Sequence, residues 1–99
     1  MKKSRFVLIV DDDRAWAEGV ADLFVAYGYA AEFVANGRMA VERARRADFD
    51  IAFMDARDAD SVFEIRTLKP HARVVMTGSG LLEKPLAFER MLEIVEAAA

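Results

Sequence analysis

Three short apolar runs in this chain each stop on an oxygen-bearing side chain, and little else constrains the fold as strongly. Phe6-Val7-Leu8-Ile9-Val10 meets Asp11-Asp12-Asp13, Asp50-Ile51-Ala52-Phe53-Met54 meets Asp55, and Arg73-Val74-Val75-Met76 meets Thr77. Unbroken runs of this kind have no polar face, so they read as strands buried on both sides. Between them the apolar period lengthens to three and four. Arg14 to Tyr27 reads as a helix with Trp16, Val20, Leu23, Phe24 and Tyr27 on one stripe, and Gly28 stands where a C-cap glycine belongs.

The rest of the chain continues the alternation. Ala30 to Ala35 reads as a strand and Asn36-Gly37 as a turn. Arg38 to Ala47 is helical, with Met39 and Val41 as its main apolar contacts and Arg43, Arg45 and Arg46 as a solvated, dipole-complementing end. Ser61 to Leu68 makes a short helix capped by Ser61 and stopped by Lys69-Pro70. Leu81-Leu82-Glu83 is a very short fifth strand. Ala87 to Ala97 is a closing helix with Phe88, Met91, Leu92 and Val95 on one face. Strands alternating with helices predict an α/β fold: a doubly wound, mainly parallel sheet of four to five strands with helices on both faces. Ligands of such sheets bind beyond the carboxyl ends of the strands.

Composition narrows the class. Ninety-nine residues form one domain, spanning 1–99. A net charge of −3 argues against a nucleic-acid binder, which would show a basic face. Cysteine is absent, which excludes disulfides and thiolate metal sites. No apolar run approaches the roughly 20 residues that cross a membrane. The basic start, Lys2-Lys3-Ser4-Arg5, precedes too short an apolar stretch for a signal peptide. A cytoplasmic protein is expected.

Chemistry gathers at one rim of the sheet. The ends of the first, third and fourth strands are neighbours in a doubly wound order, so Asp11, Asp12, Asp55 and Thr77 converge there. Carboxylates a few ångströms apart repel, and a hard divalent cation relieves that repulsion. Carboxylate, carbonyl and water oxygens are the ligands that Mg²⁺ prefers. A bound cation beside a carboxylate can hold a phosphoryl group in transfer.

At this point the chain resembles the receiver domains of two-component response regulators. The resemblance rests on Val7-Leu8-Ile9-Val10-Asp11-Asp12-Asp13, Ala35-Asn36-Gly37, Asp50 to Asp55, Val74-Val75-Met76-Thr77-Gly78 and Glu83-Lys84-Pro85. It implies a flavodoxin-like fold and a set of roles. Asp55 would be the phospho-acceptor. Asp11, Asp12, Asp55 and the backbone carbonyl of Arg57 would bind Mg²⁺. Thr77 would hydrogen-bond the phosphoryl group, Lys84 would pair with it, and the bond to Pro85 would be cis. The donor would be a phosphohistidine on a sensor histidine kinase or a histidine phosphotransfer protein. Beyond its own phosphorylation and dephosphorylation such a domain is no enzyme.

Two departures from the family pattern stand out. Asp55 and Thr77 are 77 − 55 = 22 positions apart, and Asp55-Ala56-Arg57-Asp58-Ala59-Asp60 lacks the usual proline and glycine. Thr77 and Lys84 are only 84 − 77 = 7 positions apart, where the family places a whole crossover helix. A parallel neighbour needs a dozen or more connecting residues, so that helix is missing. The last strand and helix are then rearranged at the sheet edge or swapped with a second molecule, which makes a homodimer an expected possibility. The family's aromatic switch position falls on Leu81.

The leading expectation is a single-domain response regulator. It would signal to an unidentified downstream protein by contact or phosphorelay, since no DNA-binding segment follows before Ala99. The alternative is a degenerate receiver that binds proteins without phosphorylation. A Mg²⁺-dependent phosphatase is disfavoured, because Arg57 stands where such an enzyme needs an acid. His71, after Pro70, reads as a surface residue.

Overall fold

The computed structural model describes residues 5–78 and 88–97. The apolar runs become β1 (Phe6–Val10), β3 (Ile51–Asp55) and β4 (Arg73–Thr77), and β2 is Ala30–Val34. The helices are α1 (Arg14–Ala26), α2 (Gly37–Arg46), α3 (Val62–Leu68) and α4 (Phe88–Ala97). A 3₁₀ segment, Ala56–Ser61, joins β3 to α3. The four strands form one parallel sheet in the order β2-β1-β3-β4. Four strands with helices on both faces is the doubly wound arrangement that the alternation predicts.

The pleat explains why the central strands have no polar face. Val7, Ile9, Ile51 and Phe53 pack with Ala17, Val20, Ala21 and Phe24 of α1 and with Met91 and Val95 of α4. Leu8, Val10, Ala52 and Met54 point the other way, to Ala40, Val41 and Ala44 of α2 and Ile65 of α3. Each fully buried side chain of Leu, Ile or Phe size contributes about 1.5–3 kcal/mol relative to exposure. With helices on both sides, β1 and β3 are almost wholly enclosed, and their ends are held rigidly in register.

Phe24 anchors the first face. Its ring lies 5.8 Å from that of Tyr29, 6.3 Å from Phe53 and 4.8 Å from Phe88, centroid to centroid. The last of these ties α4 to α1. The closing helix packs on the same face of the sheet as α1.

Several sequence expectations change. Leu23, Tyr27 and Met39 are exposed, and small residues take their places in the interface: Ala17 and Ala21 on α1, Ala40 and Ala44 on α2. Helices packed close to a sheet have room for methyl groups at the line of closest approach, whereas longer side chains splay outward. Arg43 is not a solvated helix end. It is buried, its Nε donates to Glu32 at 2.6 Å, and its guanidinium lies 4.6 Å from the Phe6 ring centroid. Ser61 makes no side-chain cap on α3, because the chain enters that helix already wound as 3₁₀. Asn36-Gly37 is a helix start instead of a free turn: the Asn36 side chain accepts from the Met39 amide at 2.9 Å, and Gly37 is the first helical residue. Gly28 has φ +95°, as a glycine past a helix end should. The expected strand Leu81–Glu83, Lys84, the bond to Pro85 and the path across the shortened connection lie outside the described residues.

No helix among the described residues is long and apolar enough to cross a membrane.

Candidate phosphoryl-acceptor and metal site

The three consecutive aspartates after β1 divide the work. Asp13 caps α1, its side chain accepting from the Trp16 amide at 3.1 Å. Asp11 is buried at the strand end and accepts from the Asp13 amide at 2.9 Å, which turns the chain from strand into helix. Asp12 is left exposed at the rim.

Asp55 enters from β3, where the strand register sets it beside Thr77 of β4. It is only 7% exposed, yet carboxylate oxygens of Asp11, Asp12 and Asp55 lie within 4.8 Å of one another. The convergence expected from strand order is therefore real. Thr77 is also buried, and its hydroxyl donates to the Met54 carbonyl at 3.3 Å, one residue before Asp55.

The feature that sequence reasoning missed is the Arg57 side chain. In the sequence Arg57 counted as a backbone carbonyl ligand and as a mark against a phosphatase, with no role for its guanidinium at the site. Its guanidinium grips Asp12 with two hydrogen bonds, at 2.7 and 2.6 Å, and donates to Asp55 Oδ2 at 2.9 Å. The Arg57 amide also donates to Asp55 Oδ1 at 2.9 Å. These hydrogen bonds, first to Asp55 and then to Asp12, raise the guanidinium pKa above its ordinary value. A cation two residues past a strand-end carboxylate was the available signal, since the 3₁₀ turn that starts at Ala56 returns residue 57 toward its own strand end.

That turn is positioned from below. Gly37 packs so closely on Ser61 and Asp58 that a β-carbon there would collide with the Ser61 side chain. The Asn36-Gly37 pair thus lets the start of α2 approach the loop that carries Arg57. The hollow lined by Asp48, Phe49, Leu68, Lys69 and His71 includes the approach to β3, at the opposite end from Asp55.

The donor set suits Mg²⁺. With metal–oxygen distances of roughly 2.1 Å, ligands of an octahedral Mg²⁺ are about 3.0 Å apart when adjacent and about 4.2 Å when opposite. The carboxylate oxygens, within 4.8 Å of one another, would draw closer to share such an ion. Asp11, Asp12 and Asp55 are hard, anionic oxygen ligands of the kind the ion prefers.

Known proteins were compared with this fold and site. No protein-family model matches the chain. A curated relative, response regulator receiver protein Anae109_2439 of Anaeromyxobacter sp. (strain Fw109-5), is 31% identical over 91 residues, covering 87% of this chain and 38% of its own. The chain thus spans about two fifths of that relative's length. Among solved structures, the CheY-like response regulator receiver domain protein from Methanospirillum hungatei JF-1 superposes with a TM-score of 0.88 at 19% identity, over 96% of this chain and 93% of that one. The receiver domain of sensor histidine kinase PA1611 from Pseudomonas aeruginosa PAO1, with a magnesium ion coordinated in its active-site cleft, gives 0.81 at 19% identity, over 96% and 97%.

The parallel sheet in this order is the fold of those receiver domains, and the acidic rim lies at its carboxyl edge. With the sequence likeness added, the chain is a receiver domain of the response-regulator type, shortened between its fourth strand and Lys84.

Proposed function

We propose that this receiver domain accepts a phosphoryl group on Asp55 in a Mg²⁺-dependent reaction. The observation that carries this reading is a strand-end carboxylate, nearly buried, with two further carboxylates within 4.8 Å. Arg57 supplies one positive charge against three carboxylates, so the cluster still favours a further cation. Asp11, Asp12, Asp55 and the Arg57 carbonyl would hold the ion, which when bound supplies positive charge to the phosphoryl oxygens.

The chain's own residues then do the rest. An Asp55 oxygen attacks phosphorus, the phosphorus–nitrogen bond of a phosphohistidine breaks, and the departing imidazole keeps the electron pair. The Thr77 hydroxyl turns from the Met54 carbonyl to donate to a phosphoryl oxygen, and the resemblance would assign pairing with the new charge to Lys84, which lies outside the described residues. The donor is a sensor histidine kinase or a histidine phosphotransfer protein. Output is by contact with a downstream protein or by onward phosphotransfer, and the domain turns over no other substrate.

Beryllofluoride with Mg²⁺ mimics the phosphorylated carboxylate. Added to the protein, it should shift the amide resonances of residues 55 to 57 and of Thr77. An unchanged spectrum at saturating metal contradicts the proposal.

One observation favours a second reading, a degenerate receiver that binds its partner without phosphorylation. The Arg57 guanidinium already neutralises Asp12 and Asp55. Under that reading an Asp55→Asn variant keeps full signalling activity in cells, whereas phospho-acceptance requires that it lose it.

A further inference from the structure

We propose that the Arg57 side chain is a tethered cation that occupies the divalent-metal position and must be displaced before the ion can bind. The inference rests on the metal-site reading above and deepens it.

The geometry carries the argument. Asp12 and Asp55 would be metal ligands, and the guanidinium engages both at once. Nη1 and Nη2 bond the two oxygens of Asp12, and Nη2 also bonds Asp55 Oδ2. A planar fork in that place takes one lone pair on each of three oxygens that a metal would use, and its bulk stands between them. Of the Asp55 oxygens, Oδ1 accepts the Arg57 amide and Oδ2 accepts the guanidinium. The same side chain therefore covers an oxygen that the phosphoryl group would need.

Displacement is feasible because the plug is not locked in. The Arg57 side chain is 59% exposed, and that of Asp12 is 57% exposed. Only Asp55, at 10%, is enclosed. Exposed ion pairs are weak and screened by salt. An arriving Mg²⁺ gains all three carboxylates, whereas the guanidinium holds two. The backbone of residue 57 can stay in place as its side chain swings into water, so a ligating carbonyl and a leaving side chain are compatible within one residue.

The consequence is a receiver whose metal affinity, and hence readiness for the phosphoryl group, is set by competition inside its own chain. Lower ionic strength strengthens the plug, and a neutral residue at position 57 removes it.

The test is a Mg²⁺ titration of the wild-type chain, Arg57→Ala and Arg57→Gln, followed by amide resonances near Asp55 and by Trp16 fluorescence. Removing an exposed charge competitor should tighten Mg²⁺ binding about fivefold in both variants. In the wild type, Mg²⁺ should also shift the Arg57 side-chain Nε–H resonance toward that of a free arginine. Equal affinities in the three proteins, or an Arg57 resonance indifferent to Mg²⁺, overturn the plug while leaving the metal site intact. Failure of all three proteins to bind Mg²⁺ overturns the plug together with the metal-site reading. Should Arg57→Ala unfold, Arg57→Gln and the wild-type resonance still decide.

Discussion

Asp55 and Thr77 are partners in the β3–β4 register, and the Thr77 hydroxyl donates to the carbonyl just before the acceptor, that of Met54. The hydroxyl is buried within reach of a group that gains charge when Asp55 is modified. Thr77→Val keeps the shape and removes the donor. It should cost about 1 kcal/mol or less of stability, the net value of one hydrogen bond, since the Met54 carbonyl sits in a sheet. Phosphotransfer to Asp55 should slow by about tenfold or more, as when a donor to a developing anion is deleted. Urea denaturation and a phosphotransfer time course check the two halves separately.

Gly37 predicts a packing defect with a specific cure. A β-carbon at position 37 would strike the Ser61 side chain and press on Asp58. Serine has no flexible end to move away, so Gly37→Ala should lose about 1–3 kcal/mol, the usual cost of overpacking. Removing the obstacle with Ser61→Gly in the same chain should restore part of that loss. A shift in urea midpoint that is equal in the single and double variants would contradict the contact.

Two phenylalanines should behave oppositely. Phe24 is fully buried among Tyr29, Phe53 and Phe88, and Phe24→Ala should cost about 3–5 kcal/mol, a large share of the roughly 5–15 kcal/mol that holds a domain of this size. Phe63 is 82% exposed on α3, and Phe63→Ser should stay within about 0.5 kcal/mol of wild type. Thermal unfolding followed by circular dichroism distinguishes them.

The strands, their order and the acidic rim were legible because buried strands must be continuously apolar and because parallel α/β chains have few topologies. Facing on the helices was less legible. Large apolar residues at the right spacing attract attention, yet Leu23 and Met39 are exposed and Tyr27 meets the Phe88 ring from an exposed position, while Ala17, Ala21, Ala40 and Ala44 are buried against the sheet. The limiting dimension there is distance to the sheet, which one-dimensional spacing does not encode. Arg43 was misread for a related reason. A cation in the last helical turn suits the dipole, but the Phe6 ring and Glu32 that enclose it come from β1 and β2, far away in the chain. The reach of Arg57 to Asp12 and Asp55 escaped notice because the resemblance assigns its carbonyl and gives its guanidinium no place at the site. The 3₁₀ turn that brings the guanidinium back becomes visible only in three dimensions.

The central claim is that Asp55 takes a phosphoryl group with a divalent ion held beside it. The most direct measurement is the intact mass of the protein after incubation with acetyl phosphate and Mg²⁺, with the modified residue located by fragmentation. The account predicts one added phosphoryl group, at Asp55, absent when the metal is chelated before acetyl phosphate is added and absent in Asp55→Asn. An unchanged mass with the metal saturating, or a phosphoryl group that persists in Asp55→Asn, would contradict it.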